Sequence, residues 1–333
     1  MRFKSKVFAT FCAAFFPISS WAQCSGPDYL SSLEPDTVAA ITARADAVPF
    51  GQGLIWQATR GDAKITLLGT MHLYDDRHQD LMIRVTPFLQ ESDLILLEMT
   101  PEVEAQAQSG MLSNPEMLFL PLDSPTLPEL LPAEDWDMLA SEISKRGIPS
   151  ILAAKSQPWY IAMSLAIPTC AMADIASGKR GLDHMIMDWA TTHSVDMQAL
   201  EPWDTLFTIM SADSFEDQLT NLQLTLQTIS DQPPLMMSLL NEYFAEKPAL
   251  IWELSRYSVE NTPGISVVDA AMLMQDMQTD LLDTRNANWI PVITAASAQN
   301  DTMVVAVGAA HLPGETGVLR LLEQQGWTIT PVN

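Results

Sequence analysis

The sequence predicts an α/β fold, a single domain whose sheet is covered by helices on both faces. Three observations carry this. Short apolar, β-favouring runs alternate along the chain with longer segments of helical spacing. Two of those runs, Lys64-Ile-Thr-Leu-Leu-Gly-Thr-Met-His72 and Met303-Val-Val-Ala-Val-Gly-Ala-Ala-His311, have the same form and close in Gly-x-x-His. The 333 residues are 47% apolar, with no low-complexity linker between segments, which is enough to bury a large core.

Taken in order, residues 1 to 22 read as a signal peptide: basic Arg2, Lys4 and Lys6, an apolar Val7 to Ile18, and small Ser20 and Ala22 at the cleavage positions. The apolar stretch is too short to span a membrane, and no 18-residue apolar run follows it. Ser25 to Ala47 has helical spacing, with Pro49 as a stop. Leu54 to Arg60 and Ala63 to Leu68 are strands joined at Gly61-Asp62, a two-residue hairpin signal. A helix is expected from about Gln79 to Glu91, then a buried strand from Asp93 to Glu98. The proline-rich stretch from 113 to 132 reads as a surface excursion.

Glu134 to Arg146 is helical, with Gly147 as its C-cap. Trp159 to Ala176 is an apolar helix interrupted at Pro168, Leu182 to His193 a further helix, and Val195 to Glu201 a strand. Residues 204 to 260 are mostly helical, broken at Pro233-Pro234, and Asp269 to Ser297 is helical with a break near Pro291. The strand ending at Gly308, a helix from Gly317 to Gln325 and a strand from Thr328 to Val332 complete the chain. The 19 methionines fall at helical spacing and fill core; His78 and His193 are expected on exposed helix surfaces.

Charge excludes some functions. Lys and Arg number 17 against 41 Asp and Glu; removing the three bases of residues 1 to 22 leaves 14 against 41, a net charge of −27. Such a surface repels nucleic acid and anionic lipid. Export also explains the cysteines: Cys12 leaves with the signal peptide, and Cys24 and Cys170 remain to form one disulfide in an oxidising compartment, periplasmic or extracellular.

Four strands end in a polar group: His72, Glu98, Glu201 and His311. If they are parallel neighbours, these groups converge on one edge of the sheet, where open α/β sheets place their sites. Chance gives about 0.2 Gly-x-x-His matches in a chain of this composition, so spacing alone is weak. A third match, Gly181-Leu-Asp-His184, opens a helix and lacks the strand context. Two imidazoles with one or two carboxylates suffice to hold a divalent metal with open positions, and a further carboxylate can move a proton. Glu98 ends an unbroken apolar run, so burial obliges it to pair; a metal or Arg285 would serve equally.

In sequence order, Leu68-Gly-Thr-Met-His72, Leu97-Glu98, Lys155 with Pro158-Trp159, Gly181-Leu-Asp183, Leu200-Glu201, Arg285-Asn286 with Trp289, and Val307-Gly-Ala-Ala-His311-Leu-x-Gly314 resemble the TraB/GumN family. That family includes the Tiki-type metalloproteases and is distantly similar to ChaN-like haem-binding and erythromycin-esterase-like proteins. The resemblance covers about residues 50 to 333. It implies a central mixed, largely parallel sheet with both Gly-x-x-His segments facing one cleft, in a domain of residues 23 to 333 with a mostly helical insertion around 204 to 260. It also implies metal-dependent peptide hydrolysis.

The metal set is then His72, His311 and Glu98, with Glu98 or Glu201 as general base and Arg285 stabilising an oxyanion. The ion is Zn²⁺, Mn²⁺ or Co²⁺. The expectation is an exported peptidase acting on a peptide or other small substrate. Alternatives are a periplasmic protein binding haem or a small ligand without turnover, and an inactive cell-envelope scaffold.

Overall fold

The structure, a computed structural model, describes residue 24 and residues 26 to 332. The expected signal peptide lies outside the described residues. Six strands form one mixed sheet: β1 (Ile55–Arg60), β2 (Ala63–Thr70), β3 (Leu94–Leu97), β4 (Asp196–Ala199), β5 (Thr302–Gly308) and β6 (Thr328–Pro331). Their spatial order is β4-β3-β5-β2-β1-β6. β4, β3, β5 and β2 are mutually parallel, while β1 runs antiparallel to both β2 and β6. The turn between β1 and β2 pairs Arg60 with Ala63 and places Gly61 at φ 62°, the backbone such a two-residue hairpin needs.

Strand side chains alternate between two cores, as the pleat requires. Met303, Val305 and Val307 of β5, with Ile65 and Leu67 of β2, pack on Trp289, Ile290 and Ile293 of the helix Thr284–Ser297. Val304 and Ala306, with Leu68, Ile95 and Leu97, face the helices His78–Glu91 and Leu182–His193 through Leu81, Val85, Leu89, Leu182 and Ile186. Both faces are therefore covered. A third core lies away from the sheet, among the helices Ala133–Ser144, Pro158–Ala166 and Phe215–Gln227. A fourth joins Pro35–Asp46 to Pro248–Glu260.

Some elements depart from expectation. The N-terminal helix is two pieces, Tyr29–Ser32 and Pro35–Asp46, because Pro35 starts a new first turn rather than continuing the old one. Helix Thr284–Ser297 runs through Pro291 without ending. The sequence reading passes over the helix Pro101–Ser113, whose N-cap Thr100 accepts a hydrogen bond from the Val103 N–H. His78, expected to be exposed, is fully buried: its Nε2–H donates to the Leu73 carbonyl at 2.9 Å, and its ring lies 5.0 Å from Phe244 and 5.7 Å from Tyr243. Cys24 and Cys170 form a disulfide across 146 residues of chain, with a Cα–Cα distance of 4.9 Å. Among the described residues no single helix is long and apolar enough to cross a membrane.

Candidate functional site

The four parallel strands end within two residues of one another: Thr70 pairs with Gly308, and Leu97 with both Ala306 and Ala199. The next residues of each strand therefore emerge at one edge, in the order Glu201, Glu98, His311 and His72 across the sheet. Gly308 allows the approach on which the site depends. Its N–H donates to Glu98 Oε1 at 2.6 Å, and a side chain there would bring a carbon to 3.2 Å of that oxygen.

Arg285 organises the buried half of this edge. Its Nε–H and one Nη2–H donate to Glu201 at 3.0 and 2.6 Å, and Nη2 also reaches Glu98 Oε2 at 2.6 Å. Nη1 donates to the Leu281 carbonyl at 3.1 Å and to His311 Nε2 at 3.2 Å. All five guanidinium donors are thus engaged. The Leu281 carbonyl belongs to a π-helical turn, Thr279–Asp283, just before Arg285, where the wider winding changes which carbonyls the helix itself uses. The same helix face supplies Asn286 and Trp289. Asn286 Oδ1 accepts from His311 Nδ1 at 2.6 Å, and Trp289 Nε1–H donates to Glu201 Oε2 at 3.0 Å.

These contacts set the charges. Burial acts to raise the Glu98 pKa, but the neighbouring positive charges and the Gly308 N–H hold it down at about 2. Of those charges His311, which is protonated where Glu98 titrates, acts most strongly, followed by Arg285. Burial, aided by Arg285 and His72, pushes His311 down to about 4. With its Nδ1–H committed to Asn286, His311 keeps its lone pair on Nε2.

His72 stands on the opposite wall. Its Nδ1 hydrogen-bonds Asp183 Oδ2 at 3.1 Å, and this bond pushes its pKa up to about 9. The imidazole is 67% exposed, so water screens part of the interaction. The His72 segment is docked by backbone: Gly181 and Leu182 N–H groups donate to the carbonyls of His72 and Met71, both at 3.0 Å. Between the walls lies a cavity of about 130 Å³ lined by His72, Glu98, Glu201, Asp183, Glu104 and His184. Arg285 and His311 back this cavity rather than line it. Glu104 and His184 are the site residues that sequence reasoning missed. Glu104 sits on the overlooked helix Pro101–Ser113, and His184 belongs to the Gly-x-x-His match set aside for lacking a strand.

The donor chemistry fits a divalent ion. Two imidazoles and Glu98 are a borderline-soft nitrogen and oxygen set. His311 Nε2 and Glu98 Oε1 lie 3.9 Å apart, within about twice the 2.0–2.2 Å of a metal–ligand bond. Nδ1 of His72 is bonded to Asp183, which leaves Nε2 for a ligand bond. Among the described residues no three such donors are already gathered on one point. Instead, the single Arg285 guanidinium is shared between the two carboxylates, and its Nη1–H occupies the His311 Nε2 lone pair that a ligand bond would use.

Lys155, with Pro158-Trp159, serves elsewhere: its ammonium donates to the carbonyls of Pro121, Leu122 and Ser124 and pins the proline-rich excursion. No curated protein and no solved structure matches this chain. The model of the TraB/PrgY/gumN family matches residues 54 to 331, a span that takes in all six strands and all four strand-end residues. The chain belongs to the TraB/PrgY/gumN family.

Proposed function

We propose that this protein is an exported, metal-dependent hydrolase, a peptidase of Tiki-like type acting in the periplasm or outside the cell. The observation that carries the reading is the convergence of His72, Glu98, Glu201 and His311 at one sheet edge, three of them around a 130 Å³ cavity. His72, His311 and Glu98 would hold a Zn²⁺, Mn²⁺ or Co²⁺ ion. When bound, such an ion polarises a carbonyl and lowers the pKa of water.

The chain's own groups prepare the site. Arg285 and the Gly308 N–H keep Glu98 ionised, and Asn286 holds His311 in the tautomer with a free Nε2 lone pair. Glu201 lines the cavity and takes the proton from the attacking water. Arg285, its donors all engaged, adds fixed positive charge beside a developing oxyanion rather than a free N–H. Export is supported by the basic, then apolar start of the chain and by a disulfide suited to an oxidising compartment.

Metal content of the purified chain tests the reading beside His72→Ala and His311→Ala variants. Near-stoichiometric metal in the wild type, lost in both folded variants, is expected. A wild type that takes up no Mn²⁺, Co²⁺ or Zn²⁺ on reconstitution overturns it. One observation favours a second reading, ligand binding without turnover. A pocket of about 390 Å³ beside the His311 loop, walled by Trp252, Pro248 and Pro313, is of ligand size.

A further inference from the structure

The wall of the cavity opposite Arg285 is a chain of alternating carboxylates and imidazoles. Glu104 Oε1 meets His184 Nε2 at 2.6 Å, His184 Nδ1 lies 3.0 Å from Asp183 Oδ2, and the same oxygen meets His72 Nδ1 at 3.1 Å. The His184–Asp183 approach joins neighbouring residues and is a charge contact, not an aligned hydrogen bond. Asp183 is buried, and its second oxygen has no hydrogen-bond partner. A buried carboxylate left half-satisfied is costly, so what it does through Oδ2 must outweigh that cost.

We infer that Asp183 is the positioning residue of His72, itself held in place by the His184–Glu104 pair. The inference rests on the metal-site reading above. Accepting a hydrogen bond from Nδ1–H keeps the proton on that nitrogen, so Nε2 is the one that gives up its proton when the ring takes a ligand. It also fixes the ring of a side chain that is otherwise two-thirds exposed. His311 is built the same way, with Asn286 Oδ1 in the part of Asp183. The two histidines are thus oriented from opposite sides, one by a neutral amide in a dry setting and one by an ionised carboxylate nearer water. Helix Pro101–Ser113 enters the site through Glu104, and Arg180 reaches the other Glu104 oxygen at 3.9 Å.

The experiment measures metal affinity of the full mature chain by competition with a chromophoric chelator, using Co²⁺ and Zn²⁺. Wild type is compared with Asp183→Asn, His184→Gln and, as an exposed control on the helix Pro101–Ser113, Glu102→Gln. Asp183→Asn is expected to weaken binding about 10- to 100-fold, with the thermal midpoint of the metal-free protein unchanged. His184→Gln should weaken it less, and Glu102→Gln not at all. Wild-type affinity in a folded Asp183→Asn variant overturns the inference while leaving the metal site standing. Should Asp183→Asn fail to fold, His184→Gln decides: wild-type affinity there overturns it. If the wild type itself binds neither ion, the metal-site reading falls first, and this inference with it.

Discussion

Arg285 shows how one side chain can decide the state of a site. It is the shared counter-charge of two half-buried carboxylates whose strands are neighbours in the sheet. Arg285→Ala leaves both uncompensated, and the expected cost is about 3–5 kcal/mol in denaturant unfolding. Arg285→Lys should recover little of it, because a single ammonium cannot reproduce the fork that grips Glu201 at two atoms. His78 makes a second prediction at this scale. Burial holds its pKa below the ordinary 6.5, and its Nδ1 has no partner to receive a proton. The unfolded chain takes up a proton near 6.5 while the folded chain resists, so stability falls as pH drops below 6.5. Denaturation midpoints at about pH 7.5 and about pH 5.5 should show this loss in the wild type and less of it in His78→Phe, whose ring suits the same aromatic setting.

At the scale of elements, the legible parts are those where local pattern and tertiary environment agree. β2 and β5 are apolar on both sides because both faces of the sheet are covered, and a glycine stops each run. Their histidines could therefore be placed at strand ends from sequence alone, and so could Glu98 and Glu201. Helix Pro101–Ser113 was illegible because it buries only Ala107 and so carries almost no amphipathic signal, and Glu104 was lost with it. His184 does open a helix, as its sequence indicates, but its place beside the cavity is not legible, for a related reason. Its relation to the site runs through helix packing on the His72 loop, which spacing does not record. The π-helical turn before Arg285 has no sequence signature either. That packing gives an element-scale prediction. A Cβ on Gly181 would lie 2.0 Å from the Met71 carbonyl oxygen and 2.5 Å from that of His72, both backbone. Gly181→Ala should therefore push the His72 segment off the helix N-terminus, and cost more in metal affinity than in thermal stability.

For the whole molecule, the disulfide and the sheet act on different parts. Cys24–Cys170 ties the start of the described chain to the turn after the helix Pro158–Ala166, closing a loop of 146 residues. In the chain-entropy model so long a loop is worth about 5 kcal/mol. Paired Cys24→Ser and Cys170→Ser substitutions should lower unfolding stability by about that amount, and reducing agent should do the same to the wild type but not to the variant. The strand-end cluster lies on the sheet, apart from this bridge, so the metal affinity of the double variant should match that of the wild type. Arg285 carries a last consequence for the molecule as a manufactured object. A small zinc domain is unfolded until its ion arrives, because nothing else balances its ligands. Here a covalently attached cation already sits between the carboxylates, and no chelator can remove it. The chain can therefore fold and cross-link before any ion is supplied. Exhaustive dialysis against EDTA should leave its near-ultraviolet circular dichroism intact, and under the proposed function an ion would be loaded late and reversibly.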